Sequence, residues 1–181
     1  MQQNEENLVW IDLEMSGLDP EHNTIIEIAT IVTDKNLNIL EKGPNLAIKQ
    51  SLKLLESMDE WNTTHHTASG LWAKVLNDSV SMEEADKATL DFIKKWTMEG
   101  KNPLCGNSIG QDRRFLYKYM PQISEYLHYR NIDVTSIKEI AKRWYPELPA
   151  FNKLEKHQAL DDIIESIDEL KYFQEHIFKV R

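Results

Sequence analysis

The chain has 181 residues, 41% hydrophobic and 28% charged, which is enough to bury the core of one ordinary globular domain. Its net charge of −9 argues against a surface that tracks long nucleic acids, but does not exclude an enzyme that acts on a short one. The apolar runs are too short to span a bilayer, and the polar, acidic N-terminus is unlike a signal peptide. The single cysteine, Cys105, fits a small buried residue in a reducing compartment. We expect one domain over residues 1–181, located in the cytoplasm.

The predicted strands come first in the chain. Leu8–Met15 is an almost continuous apolar run, and Thr24–Thr33 is rich in β-branched residues. Asn38–Lys49 is predicted to be a third strand, bent or interrupted at Gly43 and Pro44. Together the three predict an antiparallel meander.

Helical patterns and short strands alternate in the rest of the chain. The predicted helices are Ser51–Met58, Gly70–Leu76, Met82–Trp96, Ser108–Met120, Ser136–Trp144 and a long one over Gln158–Phe178. Two short strands, Asn102–Gly106 and Ile132–Val134, precede two of these helices. This order predicts an α/β fold with a mixed five-stranded sheet, antiparallel on one side and parallel on the other, flanked by helices. The first strand is expected to lie in its centre.

Two carboxylates lie inside the first predicted strand. Side chains alternate along a strand, so Asp12 and Glu14 share one face, with Cα atoms roughly 6–7 Å apart. A buried charge is costly unless it is paired or bound to a metal. The alternative is a pair of edge-strand acids facing water, which the apolar neighbours Ile11 and Leu13 disfavour.

A third acid lies on the inward face of a predicted helix. If that helix starts near Ser108, Asp112 falls on the same stripe as Phe115. Either a metal ion or a salt bridge to Arg113 or Arg114 could balance its charge, and the sequence leaves both open.

The last predicted helix offers a fourth acid. Asp162 lies at the flank of the apolar stripe beside the small residues Ala159 and Ser166, whereas Asp161 points toward solvent. Asp162 is therefore the candidate. His157 precedes it by five residues, about 140° around a helix, so it can converge with Asp162 only from a segment at or before the helix start.

These four acids and one histidine come from three distant segments. Oxygen ligands favour Mg²⁺ or Mn²⁺ over zinc, and four carboxylates suit two ions that flank a phosphoryl group. In such a site one ion activates water, the other stabilises the leaving oxygen, and a nearby histidine takes up the proton of the water.

Three motifs then carry a family resemblance: DLE at Asp12–Glu14, N-x4-D at Asn107–Asp112 and H-x4-D at His157–Asp162. They resemble the three exonuclease motifs of the DEDDh 3′–5′ exonucleases, which have a ribonuclease H-like fold. Over nearly the whole chain, the segments WIDLEMSGLDP, IIEIATIVTD, MDEWN, HTASGL, CGNSIGQDRRFLYKYMP and HYRNIDV are, in this order, similar to the oligoribonucleases.

The resemblance implies a catalytic site and a substrate. Asp12, Glu14, Asp112 and Asp162 would bind two ions, Mg²⁺ or Mn²⁺, and His157 would be the general base. The enzyme would hydrolyse very short RNA, chiefly dinucleotides, to 5′-mononucleotides.

The resemblance also implies substrate-binding residues and a homodimer. Leu18 would insert as a wedge between the two bases, and Trp61 would stack on one of them. His66, Tyr129 and Arg130 would close the site. Ser108 and Thr135 would contact the terminal phosphate. The Tyr-Arg segment would reach across the homodimer. The family usually has serine at the position of Thr135, and threonine keeps the hydroxyl. Tyr145–Lys156 matches least well and receives no role.

Three alternatives compete with this interpretation. The first is a general DEDDh 3′–5′ exonuclease acting on longer single-stranded RNA or DNA. The second is an inactive exonuclease-like binding module, which would be expected to lack a metal-binding acid or the histidine. The third is a two-metal nucleotidase acting on mononucleotides, against which the Leu18–Trp61 pair argues. The terminal-phosphate residues and the lack of basic stripes favour very short RNA.

Overall fold

A mixed five-stranded sheet is the framework of the protein in a computed structural model that describes residues 2–152 and 158–178. Its strands are β1 (Leu8–Met15), β2 (Ile25–Thr33), β3 (Ile39–Ala47), β4 (Pro103–Gly106) and β5 (His128–Asp133). They lie in the order β3-β2-β1-β4-β5. β1 and β2 are antiparallel, as are β2 and β3, whereas β4 is parallel to both β1 and β5. The predicted mixed sheet with its central first strand is confirmed.

Helices flank this sheet. In the described residues they are α1 (Leu52–Glu56), α2 (Glu60–Ala68), α3 (Leu71–Asn77), α4 (Met82–Trp96), α5 (Gly110–Tyr119), α6 (Pro121–Tyr126), α7 (Val134–Trp144) and α8 (Ala159–His176). Since α5 and α7 follow β4 and β5, their first turns lie at the carboxyl edge of the parallel strands. Within the described part of the chain, no helix combines the length and apolar character needed to cross a membrane.

β1 is buried between two hydrophobic cores because its side chains alternate. Val9, Ile11 and Leu13 pack into one core with residues of α4, α5 and α6. Trp10 packs into the other core, with residues of α7 and α8, and its indole N–H donates to the Thr33 hydroxyl at 3.0 Å. The alternation therefore places Asp12 and Glu14 on the Trp10 face, which α8 covers.

Two of the helices were not predicted from the sequence. α2 has a polar sequence without an apolar stripe, and it is recognised instead by its start, where the Asp59 carboxylate accepts the backbone N–H of Asn62. α6 is a six-residue helix that begins at Pro121, so it is too short for a periodic pattern.

Several predicted boundaries also differ, and two of the differences have a clear physical reason. α5 begins at Gly110 rather than Ser108, because Ser108 has a left-handed backbone with φ of 51° that an α-helix cannot include. β5 begins at His128 rather than Ile132. Its first residues are exposed on an edge strand, so they lack the apolar signal that marked its end.

Candidate active site

Three carboxylates converge on the Trp10 face of β1. Asp12 and Glu14 belong to the strand, and Asp162 belongs to the first turn of α8. One ligand oxygen from each lies within 4.8 Å of the others. Among the residues that the structure describes, this group includes Asp162 and not its neighbour Asp161.

Asp112 approaches β1 from α5. Its carboxylate is 6% exposed and accepts the backbone N–H of Leu13 at 3.0 Å, beyond the point where β4 pairs with β1. The two arginines that the sequence offered as its partners bind elsewhere. Arg113 donates to two backbone carbonyl groups, and Arg114 donates to the Gln111 side chain. The fourth acid is thus held against the strand that carries Asp12.

Burial and mutual repulsion disfavour the charged forms of these acids. Burial, with further repulsion from Asp112 and Glu14, raises the pKa of Asp12 well above its usual value. Burial and repulsion from Glu27 raise the pKa of Glu14 to about 8. Burial raises the pKa of Asp112 to about 7. The acids therefore need either protons or a cation at neutral pH.

This donor set fits a hard divalent cation. All of the converging ligands are carboxylate oxygens, which Mg²⁺ and Mn²⁺ prefer, and a positive charge would remove the repulsion that raises their pKa values. Asp12, Glu14 and Asp162 would share one ion. Asp112, on α5, lies next to this group and is a further carboxylate that could take part in metal binding.

A fifth acid, Glu27, lies beside the cluster and was missed by sequence reasoning. It is directly opposite Glu14 in the register of β1 and β2, and it is buried, with its carboxylate 4.0 Å from the ammonium group of Lys74. Burial raises the pKa of Glu27, and Lys74 partly offsets that rise. Drawing the register of the predicted hairpin would have identified it.

His66 reaches the site from α2 as a neutral ring. Burial lowers the pKa of His66, and its Nε2 lies 3.2 Å from the carbonyl oxygen of Met15, to which the Nε2–H tautomer donates. Nδ1 lies 4.0 Å from a Glu14 carboxylate oxygen, and within the described residues it is buried without a hydrogen-bond partner. A lone pair therefore faces the carboxylates and can accept a hydrogen bond.

Two large apolar side chains near the site are exposed. Leu18, in the loop after β1, is 72% exposed, and Trp61, on α2, is 67% exposed. The Trp61 ring stacks on His65 with ring centroids 4.6 Å apart, and the Gln111 side chain donates to the Leu18 carbonyl. The Trp61 ring is thus supported on one face and the backbone of Leu18 is anchored, while both side chains stay largely exposed.

Ser108 and Thr135 meet at the carboxyl edge of β4 and β5. Their hydroxyl oxygens are 3.2 Å apart, and the Ser108 backbone N–H donates to the Thr135 hydroxyl at 2.9 Å. One carboxylate oxygen of Asp133 accepts the backbone N–H groups of both residues. The left-handed backbone of Ser108 makes this pairing possible.

Tyr129 and Arg130 lie at the opposite end of β5. Pro103 of β4 pairs with His128 of β5, and the next residue of β4, Leu104, pairs with Asn131. Tyr129 and Arg130 are therefore the extra residues of a β-bulge. Strand geometry places the backbone of these two residues two strands away from Asp12, roughly 10 Å across the sheet. It also places them about 10 Å from Asp12 along the strand direction. The fold does not bring them to the carboxylates of their own chain.

His157, the predicted general base, lies outside the described residues, as do its four predecessors. The structure describes the chain up to Asn152 and again from Gln158, which precedes α8.

Comparison with known proteins places the chain in a family. An exonuclease family model matches residues 9–170. The oligoribonuclease of Klebsiella pneumoniae subsp. pneumoniae is 59% identical, over 99% of this chain and all of that protein. The oligoribonuclease of Vibrio cholerae serotype O1 is 60% identical, over 97% of this chain and 98% of that protein.

Solved structures show the same fold at low identity. E. coli exonuclease I in complex with single-stranded DNA has a TM-score of 0.72 and 14% identity, covering 97% of this chain and 41% of that one. Exonuclease I of Methylocaldum szegediense has a TM-score of 0.68 and 15% identity, covering 94% of this chain and 41% of that one. The chain spans about two fifths of those larger proteins. From the family model and the relatives of about 60% identity, the chain belongs to the oligoribonuclease family, a family of 3′–5′ exoribonucleases.

Proposed function

We propose that this single-domain, cytoplasmic enzyme hydrolyses very short RNA, chiefly dinucleotides, to 5′-mononucleotides. Asp12, Glu14, Asp112 and Asp162 would hold two divalent ions, and His157 would act as the general base. The family supports exonuclease chemistry, and the partly buried carboxylate cluster supports divalent metal binding. The preference for very short substrates is the most specific part of the proposal.

The proposed preference for very short RNA rests on one observation. The Ser108–Thr135 hydroxyl pair is linked to the carboxylate site by only three hydrogen bonds. Thr135 donates to Asn107 at 3.0 Å, Asn107 donates to Ser166 at 2.8 Å, and Ser166 donates to the backbone carbonyl of Asp162 at 2.8 Å. A phosphate held by the hydroxyls would thus lie close to the carboxylates, leaving room for very few nucleotides between them.

The bound ions would polarise the scissile phosphate and activate the attacking water. The chain's own residues supply binding and orientation. His66, buried with its Nδ1 4.0 Å from a Glu14 carboxylate oxygen, would help to close the site. Trp61 would stack on one base and Leu18 would insert between the two, each base–aromatic stack contributing about 1–3 kcal/mol. His157 would take the proton released by the water.

The terminal-phosphate contact is tested by Thr135→Val. Valine keeps the shape of threonine but removes the hydroxyl that accepts the Ser108 backbone N–H, so Ser108 loses the contact that would position it for the phosphate. We expect KM for a 5′-phosphorylated dinucleotide to rise by about tenfold. KM for the same dinucleotide without its 5′ phosphate should stay unchanged. Thr135→Ser keeps the hydroxyl and is the control. Equal losses on both substrates would refute the phosphate role.

We also propose that the enzyme acts as a homodimer in which Tyr129 and Arg130 of one protomer close the site of its partner. Their place at the far end of β5, on an exposed bulge of an edge strand, supports a role outside their own chain. An arginine there could pair with a substrate phosphate.

A mixing experiment tests this arrangement. Arg130→Ala alone should lower dinucleotide turnover, and Asp12→Asn alone should be inactive. A hetero-dimer of the two variants should recover up to half of the wild-type activity, because one of its two sites has an intact Asp12 and an intact Arg130 from the other protomer. Activity in the mixture that never exceeds the average of the two variants would contradict the shared site, as would a fully active monomer in light scattering.

A further inference from the structure

A buried carboxylate lies behind the proposed phosphate site. Glu169, on α8, is 2% exposed, and one of its oxygens lies 3.2 Å from the ammonium group of Lys138 on α7. Its other oxygen accepts a hydrogen bond from the side-chain amide of Asn107 at 3.1 Å. Sequence reasoning did not select Glu169. Its spacing from Asp162, with Ser166 between them at i+4 and Glu169 at i+7, is the signal that places all three on one face of the helix.

The charge of Glu169 determines how the Asn107 amide is oriented. A carboxylate only accepts hydrogen bonds, so the NH₂ group of Asn107 must face Glu169. That group also donates to the Ser166 hydroxyl at 2.8 Å. The amide oxygen of Asn107 is therefore directed at Thr135, whose hydroxyl donates to it at 3.0 Å.

This orientation in turn fixes the two hydroxyls of the phosphate site. The Thr135 hydroxyl has one proton, and Asn107 takes it, so Thr135 presents lone pairs to Ser108. Those lone pairs accept the Ser108 backbone N–H at 2.9 Å, and the Ser108 hydroxyl, 3.2 Å away, is the one of the two whose proton can turn to a bound phosphate. With a flipped Asn107 amide, Thr135 would accept from the amide NH₂ group and its own proton would be released, so the direction of the hydroxyls would change.

The same amide is anchored to the carboxylate site. Ser166, which accepts from Asn107, donates to the backbone carbonyl of Asp162 in the first turn of α8. Asn107 thus joins the turn that carries Asp162 to the loop that carries Ser108.

We propose that Glu169 is a positioning residue for terminal-phosphate recognition, acting through Asn107 to orient Thr135 and Ser108. The inference rests on the proposed role of those two hydroxyls. A group of this kind, one contact removed from the ligand, commonly changes binding or activity by about 10–100-fold when it is altered.

The test is Glu169→Gln, which keeps the size of the side chain but can both donate and accept, so it no longer specifies the Asn107 orientation. The quantity measured is the ratio of kcat/KM for a 5′-phosphorylated dinucleotide to kcat/KM for the unphosphorylated one. We expect that ratio to fall by about tenfold, carried by KM of the phosphorylated substrate. The affinity for the phosphorylated dinucleotide, measured by calorimetry in the inactive Asp12→Asn background, should fall by the same factor. Asp168→Asn removes an exposed charge from the neighbouring position of α8 and should leave the ratio unchanged.

A second variant covers the case in which Glu169→Gln does not fold. Replacing Glu169 and Lys138 together by methionine substitutes apolar side chains for the ion pair, an exchange that proteins often tolerate, and it still removes the acceptor from Asn107. The ratio should fall in this double variant as well. Either variant, when folded and with the wild-type ratio, would overturn the role of Glu169 alone. A wild-type enzyme indifferent to the 5′ phosphate would overturn the phosphate site itself, and the role of Glu169 with it.

Discussion

Asp12→Asn should lower kcat for RNA hydrolysis by at least about a thousandfold, because it removes one of the carboxylates that would hold the metal and several kcal/mol of charge stabilisation with it. The same change should make the metal-free protein more stable than the wild type at pH 8. Asparagine replaces a partly buried carboxylate that lies among Glu14, Asp112 and Asp162. Desolvation and the charges of these neighbours raise the pKa of Asp12. A loss of activity joined to a gain of stability distinguishes a ligand from a structural residue.

Steady-state kinetics with Mg²⁺ and thermal unfolding in EDTA measure the two effects. Asp161→Asn is the matched control, because Asp161 lies next to Asp162 but outside the carboxylate group of the described residues. The control should keep wild-type activity. An Asp12→Asn variant that retains activity, or that loses it by unfolding, would contradict the assignment of Asp12 to the metal site.

The metal-free wild type should lose stability as the pH rises from about 5 to 8. The pKa of Glu14 is raised to about 8 and that of Asp112 to about 7, so between pH 4.5 and those values the folded state binds more protons than the unfolded chain. Folding stability therefore falls with pH across that window and levels off above it. We expect a loss of several kcal/mol between pH 5 and 8, since each pKa unit corresponds to about 1.4 kcal/mol.

Thermal unfolding in EDTA at several pH values tests this dependence, with excess Mg²⁺ in a parallel series. Magnesium should restore most of the stability at pH 8 and little at pH 5, because protons compete with the ion for the same oxygens. Asp12→Asn should flatten the EDTA series. If the folding stability in EDTA rises with pH, or if Mg²⁺ does not change it at pH 8, these acids do not form a cation site.

The sequence predicted the sheet well because its signals are local. β1 and α4 were located to the residue, the first by its apolar run and the second by Ser81 and the acids in its first turn. α2 was missed because it has no apolar stripe, and the start of β5 because an edge strand can be polar. Such elements depend on tertiary contacts that no short window of sequence contains.

The candidate site was likewise predicted from the sequence only in part. The alternation of β1 was sufficient to put Asp12 and Glu14 on one face, and the small neighbours of Asp162 were sufficient to prefer it to Asp161. Glu27 and Glu169 were missed because their importance depends on pairing across the sheet and between helices. The placement of Tyr129 and Arg130 followed only from the register of β4 and β5.

The most direct test of the central claim is a time course of the purified protein with Mg²⁺ on 5′-phosphorylated RNAs of two, seven and about twenty nucleotides. The account predicts that the dinucleotide is hydrolysed far faster than either longer RNA, because the Ser108–Thr135 pair caps its terminal phosphate close to the carboxylates. Equal or faster hydrolysis of the longer RNAs would contradict the capped site and indicate a general 3′–5′ exonuclease built on the same carboxylates.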